Sequence, residues 1–424
     1  MGDTQKTVLI VGGGFAGIAA ANELSGAFNV ILVDPKTFFE YVPNTPHTFL
    51  SLASASRTLV DYPAGGVHKQ GVVVGLTSDG TQGKATLQAS SSYASTVKPG
   101  PTRVQARESR LRELYDTSLK IEAASSVLVV GGGSVGVELA SLVKEAHPSK
   151  RVTLVCSGAT LLDRMAPQAQ RFAEQWMRQH GVEVLTGERI SDWGGLGDGP
   201  PAAATLTTAS GRRLEGDLVF KCVGARPATA AFAASLTADQ LGPAGSIAVE
   251  PTLQVVGWRN VFAAGDCSSV DEEKTAALAG LSALAAAANI LALEAGSEPQ
   301  AYPESLFGGL RPPLVGGTSL GAHSAVMQLG PSSVQTGSGP ALMKKVLVWL
   351  YSRVAGGSRV WGLVYRQMQR AMVLLLTREA RKLAATTAAA APAVLPATAT
   401  KRASVACIAI CFSSSGWVYK PYQP

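Results

Sequence analysis

Two glycine triplets carry the clearest chemical meaning in this sequence, Gly12-x-Gly14-x-x-Gly17 and Gly131-x-Gly133-x-x-Gly136. Each directly follows an apolar run of strand length and directly precedes a helical stretch. In the first, Gly12 permits a tight turn, Gly14 lets a pyrophosphate approach the backbone, and Gly17 lets helix and strand pack closely. The phosphates then rest on the helix N-terminus, where unpaired N–H groups and the dipole favour anions. Gly13, Phe15 and Ala16 complete this candidate loop. Asp34 stands about twenty residues on, at the end of the next strand, placed to accept a bond from a ribose 2′-OH. A lone triplet is weak evidence. With strand, helix and terminal acid together, the pattern predicts dinucleotide binding.

The second triplet lacks the acid, because its following strand ends in Cys156-Ser157. An acid would repel the 2′-phosphate of NADPH, whereas Cys and Ser would not, so the site is expected to take NADH or NADPH. Glu138, just inside this helix, is open to two readings, a simple acid compensating the helix dipole or a functional carboxylate. A third motif is the strand Val261–Ala264, which ends in Gly265-Asp266. An Asp there can accept a hydrogen bond from the ribitol chain of FAD, or merely cap a turn. Its place about 120 residues after the second triplet favours the flavin.

Other chemistry is hard to find. Cys156, Cys222, Cys267, Cys407 and Cys411 form no CxxC pair. No disulfide framework or metal knuckle follows from that spacing, which also argues against the dithiol-using disulfide reductases and points to a reducing compartment. His47 and His323 have no metal-like neighbours and are expected to be structural or exposed; no metal site is read. No nucleophilic Ser or carboxylate dyad stands out, which suits an enzyme whose cofactor performs the chemistry.

The elements that must position these residues repeat. Thr7–Val11, a helix and Val30–Val33 are echoed by Ser126–Val130, a helix to about His147 and Arg151–Val155. Two copies of one β-turn-α-β unit predict an α/β chain with two Rossmann-like, doubly wound dinucleotide-binding domains, one inserted in the other. The expected division is 1–120 and 246–300 for FAD, 121–245 for NAD(P)H, 301–383 for a C-terminal, membrane-associating region, and 384–424 for a disordered low-complexity tail. Ala276–Leu293 is long and uncharged but mostly Ala, so a buried helix is favoured over a membrane span.

The formal charge of +7 is unevenly placed. From Ala341 onward twelve Lys or Arg face the single acid Glu379, so the catalytic body is net negative. Residues 341–383 mix Leu, Val, Trp and Tyr with spaced basic residues, an amphipathic pattern suited to membrane headgroups rather than nucleic acid. No signal peptide is read, and Lys6 stands where a myristoylation site wants Ser or Thr. The expected location is cytoplasmic and peripheral on a membrane.

The stretches VLIVGGGFAGIAAANEL, LVDPK, SSVLVVGGGSVGVELA, RVTLV, GDLVFKCVGARP, NVFAAGDC and LAGLSALAAAANIL resemble the apoptosis-inducing-factor-like branch of the pyridine nucleotide-disulfide oxidoreductase superfamily. Within it the chain looks most like the ferroptosis suppressor proteins and their plant and algal homologues, with type II NADH dehydrogenases more distant. The resemblance implies FAD held by Gly12 to Gly17, Asp34 and Lys36 at one end, with Val73 along its length and Asp266 at the other. It implies NAD(P)H at Gly131, Gly133 and Gly136, and hydride passing through the flavin to a quinone. Lys98 falls at a position the family uses close to its cofactors, and Glu138 matches a Glu beside the active site. Two departures stand out. A family strand ending in Ala-Thr-Gly is missing, since only Gln-Ala-Ser separates Leu87 from Ser91, and a Gly-Arg-Asn-Asp-Gly-like stretch is replaced by Gly321–Ala325. The missing strand keeps open a nucleotide-binding protein with impaired catalysis, and a soluble reductase with another acceptor is the further alternative.

Overall fold

The structure is a computed structural model that describes residues 6–63, 68–80, 82–88, 105–197, 200–224, 227, 229–307, 314–330, 333–387 and 407–412. The chain begins β1 (Thr7–Val11), α1 (Phe15–Leu24) and β2 (Asn29–Asp34). Short β3 (Phe38–Glu40) and β4 (Leu59–Asp61) pair around α2 (Thr45–Leu50) and α3 (Ala55–Thr58). β5 (His68–Gln70) follows, then the antiparallel pair β6 (Val72–Ser78) and β7 (Gly83–Gln88). α4 (Arg107–Ala123) leads into β8 (Ser126–Val130), α5 (Ser134–Ala146), β9 (Arg151–Val155), α6 (Pro167–Gln179) and β10 (Glu183–Leu185). Next come β11 (Ile190–Asp192), β12 (Ala202–Thr208), β13 (Arg213–Lys221), β14 (Val261–Gly265) and α7 (Ala276–Glu294). The remaining elements are α8 (Glu304–Phe307), β15 (Val315–Leu320), β16 (Ser324–Leu329), β17 (Val334–Gly337), α9 (Ser338–Ala355), α10 (Arg359–Thr387) and β18 (Cys407–Phe412).

Two large sheets organise the molecule. The first is parallel throughout, in the order β14-β18-β1-β2-β5, and the second runs β10-β9-β8-β13-β12-β11, parallel as far as β13. Residues of the second sheet fall between strands of the first along the chain, the doubly wound arrangement with one unit inserted in the other. Both sheets are covered by helices, so their central strands read as unbroken apolar runs. β8, Ser-Val-Leu-Val-Val, is buried at every position. A three-stranded antiparallel sheet, β15-β16-β17, stands beside α5 and carries α9.

α7 is long and apolar enough to cross a membrane by composition, yet 67% of that stretch is buried within the fold. It packs on α1, and Ala16, Ala19 and Ala20 share one core with Ala279, Ala283 and Ala286. Small side chains at such a contact let two helix axes approach closely.

The tail departs from expectation. Residues 407–412 form a strand inside the stretch read as disordered, and it lies between β1 and β14. Its register is parallel on both sides, from Val8↔Cys407 to Val11↔Ile410 and from Val261↔Ile408 to Gly265↔Phe412. β1 and β14 do not pair with each other; β18 is the link. Without β18 the strands β1 and β14 would face a gap in this sheet, and a row of unpaired backbone N–H and C=O groups in a protein interior is strongly unfavourable. The tail strand supplies those partners.

Candidate functional site

The two glycine loops are built alike. Gly12 has φ +96° and Gly131 φ +127°, a region that side-chain-bearing residues avoid. Each donates its amide across to the neighbouring strand, Gly12 to Val33 O at 2.7 Å and Gly131 to Val155 O at 2.8 Å. A Cβ on Gly17 would lie 1.9 Å from Gly12 O, and one on Gly136 the same 1.9 Å from Gly131 O, so the helix can lie this close to the turn only with glycine. Neither α1, capped by Gly14, nor α5, capped by Gly133, has a side chain bonded to its first amides. Those N–H groups remain for an anionic ligand. At Gly133 a Cβ would meet nothing within 4 Å, so the loop is open there.

Asp34 is buried at the end of β2 and braces the first loop. Its Oδ2 accepts from Gly13 N at 2.6 Å and its Oδ1 from Lys36 N at 2.8 Å. Each oxygen keeps further acceptor capacity for a ribose hydroxyl. Tyr62 donates to Gly13 O at 2.8 Å and stacks on His68, whose ring is centred 4.3 Å away. His68 Nε2 is buried without a hydrogen-bond partner, on the strand adjacent to the one ending in Asp34. This polar nitrogen, the acid and the uncapped helix fit the adenosine diphosphate part of FAD. Lys36 lies 5.6 Å over the Phe38 ring, and Val73 is buried with Val11, Val33 and Val261.

Asp266 follows Gly265 at the end of β14. Through β18 the registers set Val11 level with Ala263, so Gly12 and Asp266 emerge at the same, carboxyl-terminal edge of the sheet. They are two strand spacings apart, roughly 10 Å. This edge is where open α/β sheets bind their ligands, and the separation suits a flavin whose pyrophosphate and ribityl chain span it.

At the second loop β9 is followed by Cys156, which is buried, and Ser157. Burial raises the Cys156 thiol, with Asp163 adding to the shift, so it stands protonated and offers no negative charge to a nucleotide phosphate.

Glu138 sits in the second turn of α5, buried. Its Oε1 accepts from Ser319 N at 2.7 Å and from Lys344 Nζ of α9. Lys344 was read as one of the basic surface residues of the tail; the structure turns it inward, with 15% of its side chain exposed. Thr318 donates to Ser134 Oγ at 2.9 Å, fastening β15 to the first residue of α5. Phe15 of α1 meets Tyr41 and Tyr351 edge-on, at 5.1 and 5.2 Å, and Tyr41 meets Tyr351 at 5.5 Å. Burial raises the Tyr41 hydroxyl well above its usual range, and the charge of Glu138 adds to the rise. Glu138 of α5 and Lys344 of α9 thus form one buried carboxylate–ammonium pair, and Tyr41, which feels that carboxylate, packs on Phe15 at the start of α1 and on Tyr351 of α9.

Of the residues picked from sequence, Gly12, Gly13, Gly14, Phe15, Ala16, Gly17, Asp34, Lys36, Val73 and Asp266 gather around the first sheet. Gly131, Gly133, Gly136 and Glu138 gather around the second. Lys98 lies outside the described residues. Lys344, Ser319, Tyr41 and His68 were not picked out. No local pattern marks them, because each reaches the site by a long-range packing contact. His47, expected to be structural or exposed, is half-buried with Nε2 3.4 Å from Ser319 Oγ.

Fold and site together define a two-dinucleotide oxidoreductase. Residues 105–288 match the profile of the pyridine nucleotide-disulphide oxidoreductases. The chain belongs to that family and is a flavin-dependent NAD(P)H oxidoreductase. It is 32% identical over 302 residues to human ferroptosis suppressor protein 1, covering 67% of this chain and 80% of that protein. Apoptosis-inducing factor homolog B of Dictyostelium discoideum is 27% identical over 359 residues, or 78% of this chain and 92% of its own. In fold it is similar to the sulfide:quinone oxidoreductase of Aquifex aeolicus, with TM-score 0.63, 14% identity, and 82% and 91% of the two chains covered. It is also similar to NDH2 of Plasmodium falciparum in complex with NADH, with TM-score 0.60, 13% identity, and 85% and 97% covered.

Proposed function

We propose that this protein passes electrons from NAD(P)H through FAD to a quinone of the ubiquinone type. The observation that carries the reading is the pair of uncapped glycine-loop helices, α1 and α5, the second of which carries Glu138 of the buried Glu138–Lys344 pair. FAD, when bound, would supply a two-electron relay between the nicotinamide and the acceptor. Gly12 to Gly17, Asp34 and Lys36 hold its adenosine end, Val73 lines it, and Asp266 holds the ribityl chain. Gly131, Gly133 and Gly136 hold the nicotinamide nucleotide, and without an acid at the end of β9 either NADH or NADPH is accepted. Glu138 and Lys344 present fixed charge where the two cofactors meet. The resemblance to the ferroptosis suppressor proteins implies the quinone as acceptor, and a fold relative that is a sulfide:quinone oxidoreductase supports it.

Membrane association is part of the same reading. On α9 and α10, exposed Leu342, Val346, Val360 and Leu374 alternate with exposed Lys345, Arg353, Arg370 and Arg378. Apolar groups among cations suit the interface of an anionic membrane, from which a lipid-soluble quinone would be drawn. Co-sedimentation with anionic but not neutral vesicles is the expected result.

The test is the visible spectrum of the purified protein before and after NADH is added without oxygen, followed by a short-chain ubiquinone. Flavin bands that bleach and return with quinone are expected, and Asp266→Ala is expected to purify with less flavin. Bands that NADH leaves unchanged would overturn the relay. Bands that bleach but return only with another oxidant would overturn the quinone.

A further inference from the structure

Two-electron reduction of a quinone, NAD(P)H + H⁺ + Q → NAD(P)⁺ + QH₂, draws one proton from solvent per turnover. Glu138 and Lys344 are buried, so that proton needs a route. Ser319 offers one. Its amide donates to Glu138 Oε1 at 2.7 Å, and its hydroxyl lies 3.4 Å from His47 Nε2. His47 in turn forms one wall of an open cleft of about 380 Å³ on the surface. Leu142 and Glu145 of α5 and Ala322 and His323 of the β15–β16 turn line the same cleft.

Resting on the quinone-reductase reading, we propose that this cleft is the proton inlet of the site and that His47 carries protons between solvent and Glu138 by way of the Ser319 hydroxyl. A proton taken up at Nδ1 is matched by one released from Nε2 toward Ser319 Oγ, so each transfer leaves the ring neutral. In this structure the hydroxyl bonds His47 and the amide of the same residue bonds Glu138. A turn of the Ser319 side chain is the step that carries the hydroxyl from one to the other, where it can donate or accept. The charged and titratable groups around His47 are Glu138 and Glu145 from α5, Lys344 and Lys345 from α9, and His323 from the turn. Burial holds the imidazole below its ordinary range; Glu138 and Glu145 oppose that shift, and the two lysines add to it. A neutral imidazole, donor at one nitrogen and acceptor at the other, is the form a relay requires. His47 is therefore a positioning and proton-carrying residue, one step removed from the cofactors.

The test uses the full-length, flavin-loaded protein and the variants His47→Ala, His47→Gln and Ser319→Ala. Anaerobic bleaching by NADH, which moves hydride and needs no external proton, is expected to keep its rate within about twofold. Turnover with a short-chain ubiquinone is expected to fall by roughly a hundredfold, the low end for a positioned proton-transfer group, with an altered pH profile. Free imidazole, small enough for the cleft, is expected to restore much of the loss in His47→Ala. Unchanged turnover and pH profile in the His47 variants would overturn the inlet and leave the quinone reading standing. Bleaching and turnover slowed alike, with no response to imidazole, would also overturn it and make His47 structural. If the unmutated chain bleaches but reduces no quinone, the reading and the inlet fall together.

Discussion

Replacing Lys344 by Met removes one half of a buried ion pair and leaves its carboxylate behind. Glu138 is 5% and Lys344 15% exposed at the side chain, and the remaining bond to Glu138 Oε1 comes from the Ser319 amide. Stranding a buried charge costs about 3–5 kcal/mol, and the residual solvent contact of this pair puts Lys344→Met near the lower end. At roughly 2–4 °C per kcal/mol for large domains, the expected fall in Tm is on the order of 6 °C. Glu138→Gln strands the ammonium instead, but a long lysine can bend toward water, so about 2 kcal/mol is expected, with flavin retained and turnover lost. The double variant holds no buried charge and should recover much of the deficit, a coupling of about 2 kcal/mol. Thermal unfolding of all four proteins under saturating FAD measures this cycle. Losses that simply add, or a Lys344→Met Tm within about a degree of the parent, would refute the pair as a coupled unit and return Lys344 to the surface face where sequence placed it.

Gly131→Ala, at φ +127° and with its new Cβ 2.2 Å from Cys222 O, should keep flavin yet lose bleaching by NADH; retained bleaching at ordinary NADH concentrations contradicts the nucleotide loop. Glu272, accepting from Tyr302 at 2.5 Å, has its carboxyl pushed up from 4.5 to about 7, chiefly by burial and also by Asp266. Its folded pKa exceeds its unfolded one, so its contribution is full below about pH 4.5 and lost as pH rises through about 7. Glu272→Gln removes that slope, and its Tm should match the parent at pH 5 and exceed it at pH 8 by the equivalent of about 2 kcal/mol; parallel Tm curves count against the shift. Ala409→Pro removes a ladder amide from the middle of β18, a strand paired on both sides, and should cut flavin occupancy. Full occupancy in that variant means the strand is dispensable.

Much of this site was legible because its signals are local. Gly12 to Gly17 and Asp34 announce themselves within one β-turn-α-β unit, and the inserted arrangement follows from the unit's repetition. Lys344 was not legible. It stands beside Lys345 on one helix, and only the packing of α9 on β16 decides which of the two turns inward. Ser319 and His47 meet across 272 residues of sequence, with no spacing rule to join them. The tail strand misled for a related reason. Cys-Ile-Ala-Ile-Cys-Phe is a plausible strand by length, but parallel pairing is non-local and leaves no turn signature nearby. Its partners, β1 and β14, lie about 400 and 150 residues away in the chain and not among its own neighbours.

β18 also orders events in time. Val8 and Cys407 are about 400 residues apart in the chain, yet they are neighbours in one ladder. The second sheet needs only residues 126–221, so it can form while synthesis continues, whereas the first must wait with β1 and β14 apart until the last strand emerges. Pairing at such separation carries a large loop-closure cost and slows folding. A nascent chain that has not yet reached residue 412 would therefore hold a finished nicotinamide half and an open flavin half. The yellow colour of bound flavin then becomes a marker of maturation, acquired only once residues 407–412 have been made and docked.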